Sequence, residues 1–458
     1  MSVPVALEDL PAVIEARGHT AFLTSAGASP FPHLKHVEVR VVDGELVCAT
    51  GGRIEANIAV SPSVVLLWPV VGDRGHSLLV DGRARVTEAG IVVTPERAML
   101  HRPPWLPGGD PPALPVGGDV PVAGWTVAHA DQAANAGLRG LADLLMASDV
   151  DGPTGLTRAL VVVHRGRIVA ERYGSETHAD TPLLSWSMAK SVLHAAVGVL
   201  VADGVLDVDA PAPVAAWSGA DDPRAAITVR DLLEMRDGLS WNEDYVDGDA
   251  SDVVEMLFGR GHSDMAAYAT GRPVAHEPGA VFNYSSGTSM VLADVIATVL
   301  VGPDADAGSR EQAVRRLLSD RIFDPIGATT ATPDFDPAGT WVASSAVRAT
   351  ARDWARFGLL HLRGGSWNGR QVVPTDWVET ARRPQAHDVV DDEGFSRHWW
   401  TIPDRHGTFA ALGYEGQRLL LVPTLDLVVV RSGVTPAERM AALDDVLAAI
   451  IESFAGDS

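Results

Sequence analysis

Cysteine is nearly absent from this chain of 458 residues, which contains only Cys48. A single cysteine excludes an internal disulfide and any metal cluster held by several thiolates, and Cys48 is interpreted as an ordinary strand residue. Long apolar runs are also missing, and the first residues lack the basic and apolar regions of a secretory signal. The sequence therefore predicts a cytoplasmic protein that has no membrane partner.

Positive charge is scarce as well. The formal net charge is −23, with 59 acidic against 36 basic residues. Nucleic acids and anionic membrane surfaces both favour clustered lysine and arginine. This balance argues against both kinds of partner, and its simplest interpretation is solubility in the cytoplasm.

Lysine is the rarest charged residue, since only Lys35 and Lys190 are present and the other basic residues are arginine. Lys190 closes a Ser-Met-Ala-Lys tetrapeptide that begins at Ser187. A Ser-x-x-Lys motif supplies the nucleophile and base of a serine acyl-transfer enzyme. Arginine cannot accept a proton near neutral pH, whereas a desolvated lysine can. The alternative is a compositional drift toward arginine that left this lysine by accident.

The tetrapeptide opens an apolar stretch that reads as a buried helix ending at Gly204. Ser187 and Lys190 would then lie one turn apart on the same face. The positive potential of the helix N-terminus and burial both disfavour a charged lysine. We therefore expect a neutral Lys190 that can take the proton of Ser187.

A segment rich in proline and glycine divides the chain into two parts. It spans residues 101–125 and cannot continue a helix or a central strand. Residues 1–100 alternate short strands with turns and predict a small antiparallel barrel, whereas residues 126–458 have strands at both ends and helices between them, which is typical of an α+β domain. The strands expected in the barrel are 21–24, 34–42, 45–49, 64–70 and 77–87.

Three motifs occur in one order in the larger part: Ser-Met-Ala-Lys at 187–190, Tyr-Ser-Ser at 284–286, and Gly-Tyr-Glu-Gly-Gln at 413–417. In order and spacing they resemble the β-lactamase-like serine hydrolases, and the resemblance covers residues 126–458. The segments 231–245 and 276–287 are most similar to the branch of class C β-lactamases, their esterase relatives and 6-aminohexanoate-dimer hydrolase. The resemblance implies the β-lactamase/transpeptidase-like fold and an acyl-enzyme mechanism.

Tyr284 lies between turn-forming residues and is expected on a loop. Beside a lysine its pKa would fall, so that the phenol could pass a proton to the leaving group. The alternative for a lone tyrosine is a half-buried core residue. By resemblance, the backbone N–H groups of Ser187 and Gln417 would form the oxyanion hole, with the segment that ends at Gln417 starting a strand along the edge of the site.

The third motif departs from the penicillin-recognising pattern, because Tyr-Glu-Gly stands where Lys-Thr-Gly is expected. The cation that would bind a β-lactam carboxylate is therefore missing, which favours esters or linear amides. Glu415 would either pair with a substrate amine or lie solvated on an edge strand. By resemblance, Tyr245 would contact the amide nitrogen of a linear substrate. The substrate-binding candidates are Tyr245, Ser286, Tyr414, Glu415 and Gly416.

The first hundred residues resemble the pyridoxamine 5′-phosphate oxidase-like split barrels that bind flavin, through segments 33–39, 43–46, 50–58, 61–64 and 80–86. That resemblance implies FMN as a ligand, although the domain lacks the C-terminal extension of full oxidases. The alternative is a degenerate barrel that only stabilises or dimerises the protein. The candidate flavin-binding residues are Lys35, Thr50, Arg53 and Asn57.

Together these patterns predict a serine hydrolase with Ser187, Lys190 and Tyr284 as catalytic residues, acting on a small amide or ester, with linear ω-amino acid amides as one substrate class. The hydrolase would need no cofactor and no metal. The first alternative is a flavin-binding redox protein whose hydrolase-like part binds ligand without turnover. A further alternative is β-lactamase or D-amino-peptidase activity.

Overall fold

The chain forms two compact units, Met1–Gly109 and Asp110–Ser458. The computed structural model describes residues 2–7, 9–15, 18–25, 33–42, 44–49, 52–68, 77–87, 90–101, 111–115, 118, 120–121, 124–125, 136–219, 221–245, 251–388 and 393–455. Within these ranges, every helix is too short or too polar to cross a membrane. The two units are described separately below.

The first unit is a closed barrel of six antiparallel strands. Alternate residues along its strands point inward, and Trp68 and Leu23 are among the buried side chains that fill the interior. The strands are paired in the order β7-β4-β3-β2-β5-β6, β6 pairs with β7 to close the barrel, and β1 adds to β7. The elements are β1 (Ser2–Val5), α1 (Leu10–Glu15), β2 (Thr20–Ser25), β3 (His33–Val42), β4 (Glu45–Cys48), α2 (Gly52–Val60), β5 (Ser63–Trp68), β6 (Ser77–Thr87) and β7 (Gly90–His101).

The second unit is built on an eight-stranded antiparallel sheet in the order β15-β16-β17-β18-β19-β20-β8-β9. Strand β8 pairs on one side with β9, which follows it in sequence, and on the other with β20 from the C-terminal end of the chain, so distant segments close the sheet as expected for an α+β domain. Its strands are β8 (Leu156–His164), β9 (Arg167–Tyr173), β15 (Ala386–Asp388), β16 (Glu393–Ser396), β17 (Trp399–Thr401), β18 (Phe409–Gly413), β19 (Gln417–Val422) and β20 (Leu427–Val434). A small three-stranded sheet is formed by β10 (Leu183–Leu184), β11 (Thr332–Pro333) and β12 (Val347–Ala349), with β12 in the centre, and a separate pair is formed by β13 (Ser366–Trp367) and β14 (Arg370–Gln371).

Helices cover both faces of this sheet. Successive residues of β8 face opposite sides, so Val161 and Val163 join one apolar core while Leu160 and Val162 join the other. The helices are α3 (Ala136–Ala147), α4 (Ala189–Ala202), α5 (Val229–Leu233), α6 (Asp252–Phe258), α7 (Met265–Thr270), α8 (Ser286–Val301), α9 (Ala307–Leu318), α10 (Asp324–Ile326), α11 (Ala351–Leu362), α12 (Thr375–Ala381) and α13 (Met440–Glu452). Turns of 3-10 helix lie at Trp186–Met188, Ala215–Trp217, Pro223–Ala226, Tyr414–Gly416, Pro423–Leu425 and Ala437–Arg439, and a π turn lies at Ser319–Phe323.

Several local features of the structure differ from what the sequence predicted. The apolar helix is preceded by a separate 3-10 turn that contains Ser187, and it ends at Ala202 rather than Gly204. Of the segment expected to start a strand along the edge of the site, Gly413 ends β18, Tyr414–Gly416 form a 3-10 turn and Gln417 begins β19. Glu415 therefore lies in a turn between two interior strands and not on an edge strand. Strand β7, the longest of the barrel, was not among the strands expected from the sequence.

Candidate active site

Ser187 lies in the 3-10 turn Trp186–Met188, directly before α4. The preceding residue, Trp186, has φ +48, a left-handed backbone conformation that residues other than glycine rarely adopt. The turn is fixed to β12 because the backbone N–H of Ser185 donates to the carbonyl of Val347 at 3.0 Å and the Ser185 hydroxyl accepts from the N–H of Val347 at 3.0 Å. A constrained turn therefore holds the serine half-exposed at the start of a buried helix.

Lys190 is 2 % exposed, and its amine contacts three oxygen atoms. Its Nζ lies 3.1 Å from Oγ of Ser187, 3.0 Å from Oγ of Ser286 and 2.7 Å from the carbonyl oxygen of Ser344. A neutral amine has two N–H donors and one lone pair. If the N–H groups are donated to Ser344 and Ser286, the lone pair faces Ser187 and can accept its proton.

Burial lowers the pKa of Lys190 to about 8, while the negative charge of Glu243 opposes that shift. The direction of this shift is the one expected from burial, but a pKa of about 8 means that the expected neutral amine is the minority form at pH 7. The carboxylate that counteracts this shift was not recognised from the sequence. Lys190 is consequently close to the point at which both protonation states are populated near neutral pH.

Glu243 completes a chain of hydrogen bonds that begins at the nucleophile. Its Oε1 accepts from the hydroxyl of Ser286 at 2.5 Å, and its Oε2 accepts from the backbone N–H of Ser286 at 2.8 Å and from Nε1 of Trp241 at 2.5 Å. The loop that carries Glu243 is tied to α6, because Asp252 accepts from the backbone N–H of Asn242 at 2.9 Å. Burial raises the pKa of Glu243, and the charge of Lys190 opposes that shift.

Tyr284 lies on the loop before α8, as expected, and its ring faces Lys190 with Nζ 4.9 Å from the ring centroid. The expected fall in its pKa is wrong. Burial, together with the charge of Glu243, raises the pKa of Tyr284 well above its ordinary value, and a hydrogen bond with Ser187 offsets this only in part. Because the nearest carboxylate and the apolar surroundings both disfavour a phenolate, Tyr284 remains a neutral phenol that can donate a proton.

The third motif forms one wall of the site. A Cβ added to Gly413 would lie 2.5 Å from the carbonyl oxygen of Ser185, so the end of β18 abuts the nucleophile turn closely. Gln417 begins β19, and its side-chain amide donates to the carbonyl of Gly433 at 2.8 Å and accepts from the N–H of Gly433 at 3.0 Å. This side chain is therefore occupied within the sheet, and the oxyanion role of the Gln417 backbone N–H stays a prediction.

Three aromatic side chains cluster beside the nucleophile. The rings of Tyr245 and Tyr414 stack with centroids 4.7 Å apart, and Tyr414 meets Trp186 edge-on at 5.4 Å. Tyr245 is 36 % and Tyr414 46 % exposed, which leaves apolar ring surface open to a ligand. Glu415 lies at the tip of the same turn with φ +60. Two of the expected substrate-binding residues thus contact each other, and Trp186 is an aromatic neighbour that the sequence analysis did not select.

Ser187, Lys190, Ser286 and Tyr284 come together, although they lie on segments almost a hundred residues apart. Ser286 is not a surface position for substrate, because it is fully buried and joins Lys190 to Glu243. Gly416 is also buried.

The flavin-binding candidates lie in the barrel. Thr50 and the side chain of Arg53 are outside the described residues, and Lys35 lies half-buried on β3. The side chain of Asn57 is buried and donates to the carbonyl of Ser25 at 3.3 Å and to its hydroxyl at 3.2 Å. Asn57 thereby joins α2 to β2, a structural role that needs no flavin. These residues do not establish a fit for FMN, and the flavin assignment stays a prediction.

The comparisons with known proteins agree with this geometry. Residues 147–449 match the sequence pattern that describes the Beta-lactamase family. The chain belongs to the Beta-lactamase family. It is 30% identical over 309 residues to the 6-aminohexanoate-dimer hydrolase of Paenarthrobacter ureafaciens, a match that covers 60% of this chain and 72% of that protein. The chain is therefore a hydrolase of the Beta-lactamase family, related to an amide-cleaving enzyme.

Solved structures of proteins with lower sequence identity show the same fold. A penicillin binding protein from Bacillus halodurans is 17% identical with a TM-score of 0.51, and the match covers 69% of this chain and 99% of that one. A family VIII carboxylesterase is 16% identical with a TM-score of 0.50, over 70% of this chain and 98% of that one. The expected β-lactamase/transpeptidase-like fold is confirmed.

Proposed function

We propose that this protein hydrolyses small amides or esters through an acyl-enzyme formed on Ser187. The observation that supports this most directly is the arrangement around Lys190. Its amine can donate hydrogen bonds to the carbonyl oxygen of Ser344 and to the hydroxyl of Ser286, and it lies 3.1 Å from the hydroxyl of Ser187. A lysine whose pKa burial lowers to about 8 can act as a general base at neutral to mildly alkaline pH.

In the proposed acylation step, Oγ of Ser187 attacks the substrate carbonyl carbon while its proton passes to the lone pair of Lys190. The carbonyl π electrons move to oxygen, and backbone N–H groups stabilise that oxyanion. Collapse of the tetrahedral intermediate breaks the bond to the amine or alcohol, which takes a proton from the neutral phenol of Tyr284. The proton on Lys190 then restores the phenol. Water attacks the acyl-enzyme by the reverse sequence, and the acid is released with Ser187 protonated again.

Among substrates we favour linear amides whose acyl chain ends in an amine. The open ring faces of Tyr245 and Tyr414 can contact an aliphatic chain or a cation, and the carboxylate of Glu415 lies at the tip of the same turn. The relative from Paenarthrobacter ureafaciens is a 6-aminohexanoate-dimer hydrolase, and a dimer of 6-aminohexanoate is such a linear amide. A β-lactam carboxylate would meet this carboxylate instead of the lysine of the Lys-Thr-Gly pattern.

The acyl-enzyme is tested by intact-protein mass after incubation with a fluorophosphonate. We expect one adduct on the wild type, none on Ser187→Ala, and an unchanged adduct on Ser218→Ala, whose serine is exposed at a distant turn. A folded wild type without an adduct would overturn the proposal.

The substrate class is tested separately with 6-aminohexanoyl and hexanoyl p-nitroanilides. We expect a lower KM for the amino compound, and about a fivefold or smaller rise of that KM alone in Glu415→Gln, because an ion pair at a partly exposed turn contributes little. Equal KM values for both anilides would contradict the amine preference while leaving the acyl-enzyme proposal intact.

A further inference from the structure

Glu243 ends the hydrogen-bond chain of the active site, and neither the sequence motifs nor the proposed roles above assign it a function. We propose that Glu243 is a positioning residue that holds Lys190 and, through the hydroxyl of Ser286, stabilises the lysine cation formed when Ser187 is deprotonated. The inference rests on the proposed acyl-enzyme function and adds to it a residue that sets the pH range of acylation.

The donors and acceptors in this chain have one consistent direction. A carboxylate has no proton to donate, so the Ser286 hydroxyl must give its proton to Oε1 of Glu243 at 2.5 Å. The oxygen of Ser286 is then left to accept from Lys190 at 3.0 Å. Lys190 in turn has its lone pair free for the proton of Ser187 at 3.1 Å. Glu243 thus orients the base toward the nucleophile over a distance of two hydrogen bonds.

The same hydrogen-bond chain stabilises the positive charge that Lys190 acquires during the reaction. When Lys190 accepts the proton of Ser187 it becomes a buried cation, and an isolated buried cation is costly. Glu243 supplies the opposite charge without receiving the proton, as a buried carboxylate does for the general base of a serine protease triad. The proton returns from Lys190 to the phenol and leaving group, so Glu243 is unchanged after each turnover.

The other titratable groups around Lys190 remain neutral. Burial raises the pKa of Tyr284 well above its ordinary value, and burial lowers the pKa of His398 to about 3. Burial likewise raises the pKa of Tyr245, which faces Glu243 from the outer side. Among the described residues whose charge shifts the pKa of Lys190, Glu243 is the one carboxylate. Removal of this carboxylate should therefore lower the pKa of Lys190.

Several hydrogen bonds also hold the carboxylate of Glu243 in place. Three donors, two from Ser286 and one from Trp241, compensate the burial of its carboxylate. The neighbouring Asp244 is exposed on the same loop. The two adjacent carboxylates therefore provide a matched pair, one connected to Lys190 and the other in solvent, where its charge is screened.

The experiment measures the single-turnover rate of fluorophosphonate labelling from pH 5 to pH 10 by intact mass. The wild-type rate should rise with pH as Lys190 loses its proton. In Glu243→Gln, the loss of negative charge favours the neutral lysine, so the rise should move to lower pH by about one unit. The rate on the plateau should fall at least about tenfold, because the lysine is a weaker base and its cation has lost its partner.

Asp244→Asn should keep both the wild-type midpoint and the wild-type plateau. Glu243→Asp, which keeps the charge on a shorter chain, should keep the midpoint near its wild-type value while the plateau falls. If Glu243→Gln does not fold, as judged by circular dichroism, Glu243→Met provides a neutral side chain of similar length for the same comparison. A folded neutral variant whose midpoint is that of the wild type would overturn the inference. A wild type that is not labelled at any pH would instead overturn the acyl-enzyme proposal.

Discussion

The guanidinium of Arg431, which is completely buried, donates to the carbonyl oxygen of Gly416 at 2.9 Å. The same nitrogen donates to the carbonyl of Glu415 at 3.2 Å, and the other two nitrogens donate to Leu156 at 2.8 Å and to the hydroxyl of Thr157 at 3.1 Å. One interior arginine of β20 therefore joins the turn beside the nucleophile to the first strand of the domain.

We expect Arg431→Met to destabilise the protein and to impair acylation. Loss of the guanidinium removes this donor from the carbonyls of Gly416 and Leu156, at roughly 1–3 kcal/mol for each buried group left unpaired, whereas the carbonyl of Glu415 keeps the N–H of Thr435 at 3.0 Å. Arg431→Lys should recover little of this, because a single ammonium cannot reach four acceptors in the fixed geometry of a planar fork. Urea unfolding and fluorophosphonate labelling of the same samples measure both effects. An Arg431→Lys protein with wild-type stability would show that the turn does not depend on the fork.

The pH profile of acylation should have an acid limb and no alkaline limb below pH 10. The rate rises as Lys190, with a pKa of about 8, becomes neutral. It should not fall again, because the pKa of Tyr284 is raised well above 10 and the phenol keeps its proton. A decrease between pH 8 and pH 10 in a folded protein would mean that the phenol does ionise. Tyr284→Phe should then remove that decrease.

Gly413→Ala tests whether the wall of the site must touch the nucleophile turn. The new Cβ would lie 2.5 Å from the backbone carbonyl oxygen of Ser185, so one of the two segments must move. The φ of Gly413 is −135, which alanine adopts freely, so the result depends on the contacts with Ser185 and with Cβ of Gln417, which would lie 2.9 Å from the new Cβ. We expect a loss of about 1–3 kcal/mol of stability and slower labelling of Ser187.

Gly140→Ala is the matched control, since a Cβ there meets nothing within 4 Å and the residue lies in α3. Alanine should stabilise that helix by up to about 1 kcal/mol and leave labelling unchanged. Equal stability and labelling in both variants would contradict the requirement for glycine at 413.

Local patterns predicted that the side chains of Ser187 and Lys190 meet, because three residues of separation bring them together whether the first turn is 3-10 or α. Glu243 could not be found in this way. Its partner Ser286 lies 43 residues further along the chain, and an acidic loop normally reads as a solvated surface. The expected sign of the Tyr284 pKa shift was wrong because the expectation included the lysine and omitted burial, which is the larger cause, and the carboxylate of Glu243.

Strand β7 shows why part of the barrel was missed. The run Thr94-Pro95-Glu96-Arg97 interrupts the apolar pattern, and proline is rare in a central strand. In the structure, Gly82 pairs with Pro95 and Asp81 pairs with Arg97, so Glu96 is the additional residue of a bulge. The irregular pairing accommodates the proline inside a long strand, and a single sequence gives no indication of it.

The buried His361 should make the protein sensitive to mild acid. Its Nδ1 lies 3.0 Å from the carbonyl oxygen of Phe357, its Nε2 has no partner among the described residues, and burial lowers its pKa to about 4. Between the folded value near 4 and the ordinary value of 6.5, the unfolded chain binds more protons than the folded one. Stability therefore falls as pH decreases through this window, by roughly 2 kcal/mol from pH 7.5 to pH 5.

His361→Phe should remove that part of the acid sensitivity, because a phenyl ring can keep the packing against Phe357 and Trp399 without a proton to bind. Urea unfolding at pH 7.5 and pH 5 should give a difference in unfolding free energy about 2 kcal/mol smaller for the variant than for the wild type. The exposed His178→Gln serves as the control and should retain the wild-type difference. If His361→Phe and the wild type lose equal stability on acidification, the proton responsible binds elsewhere.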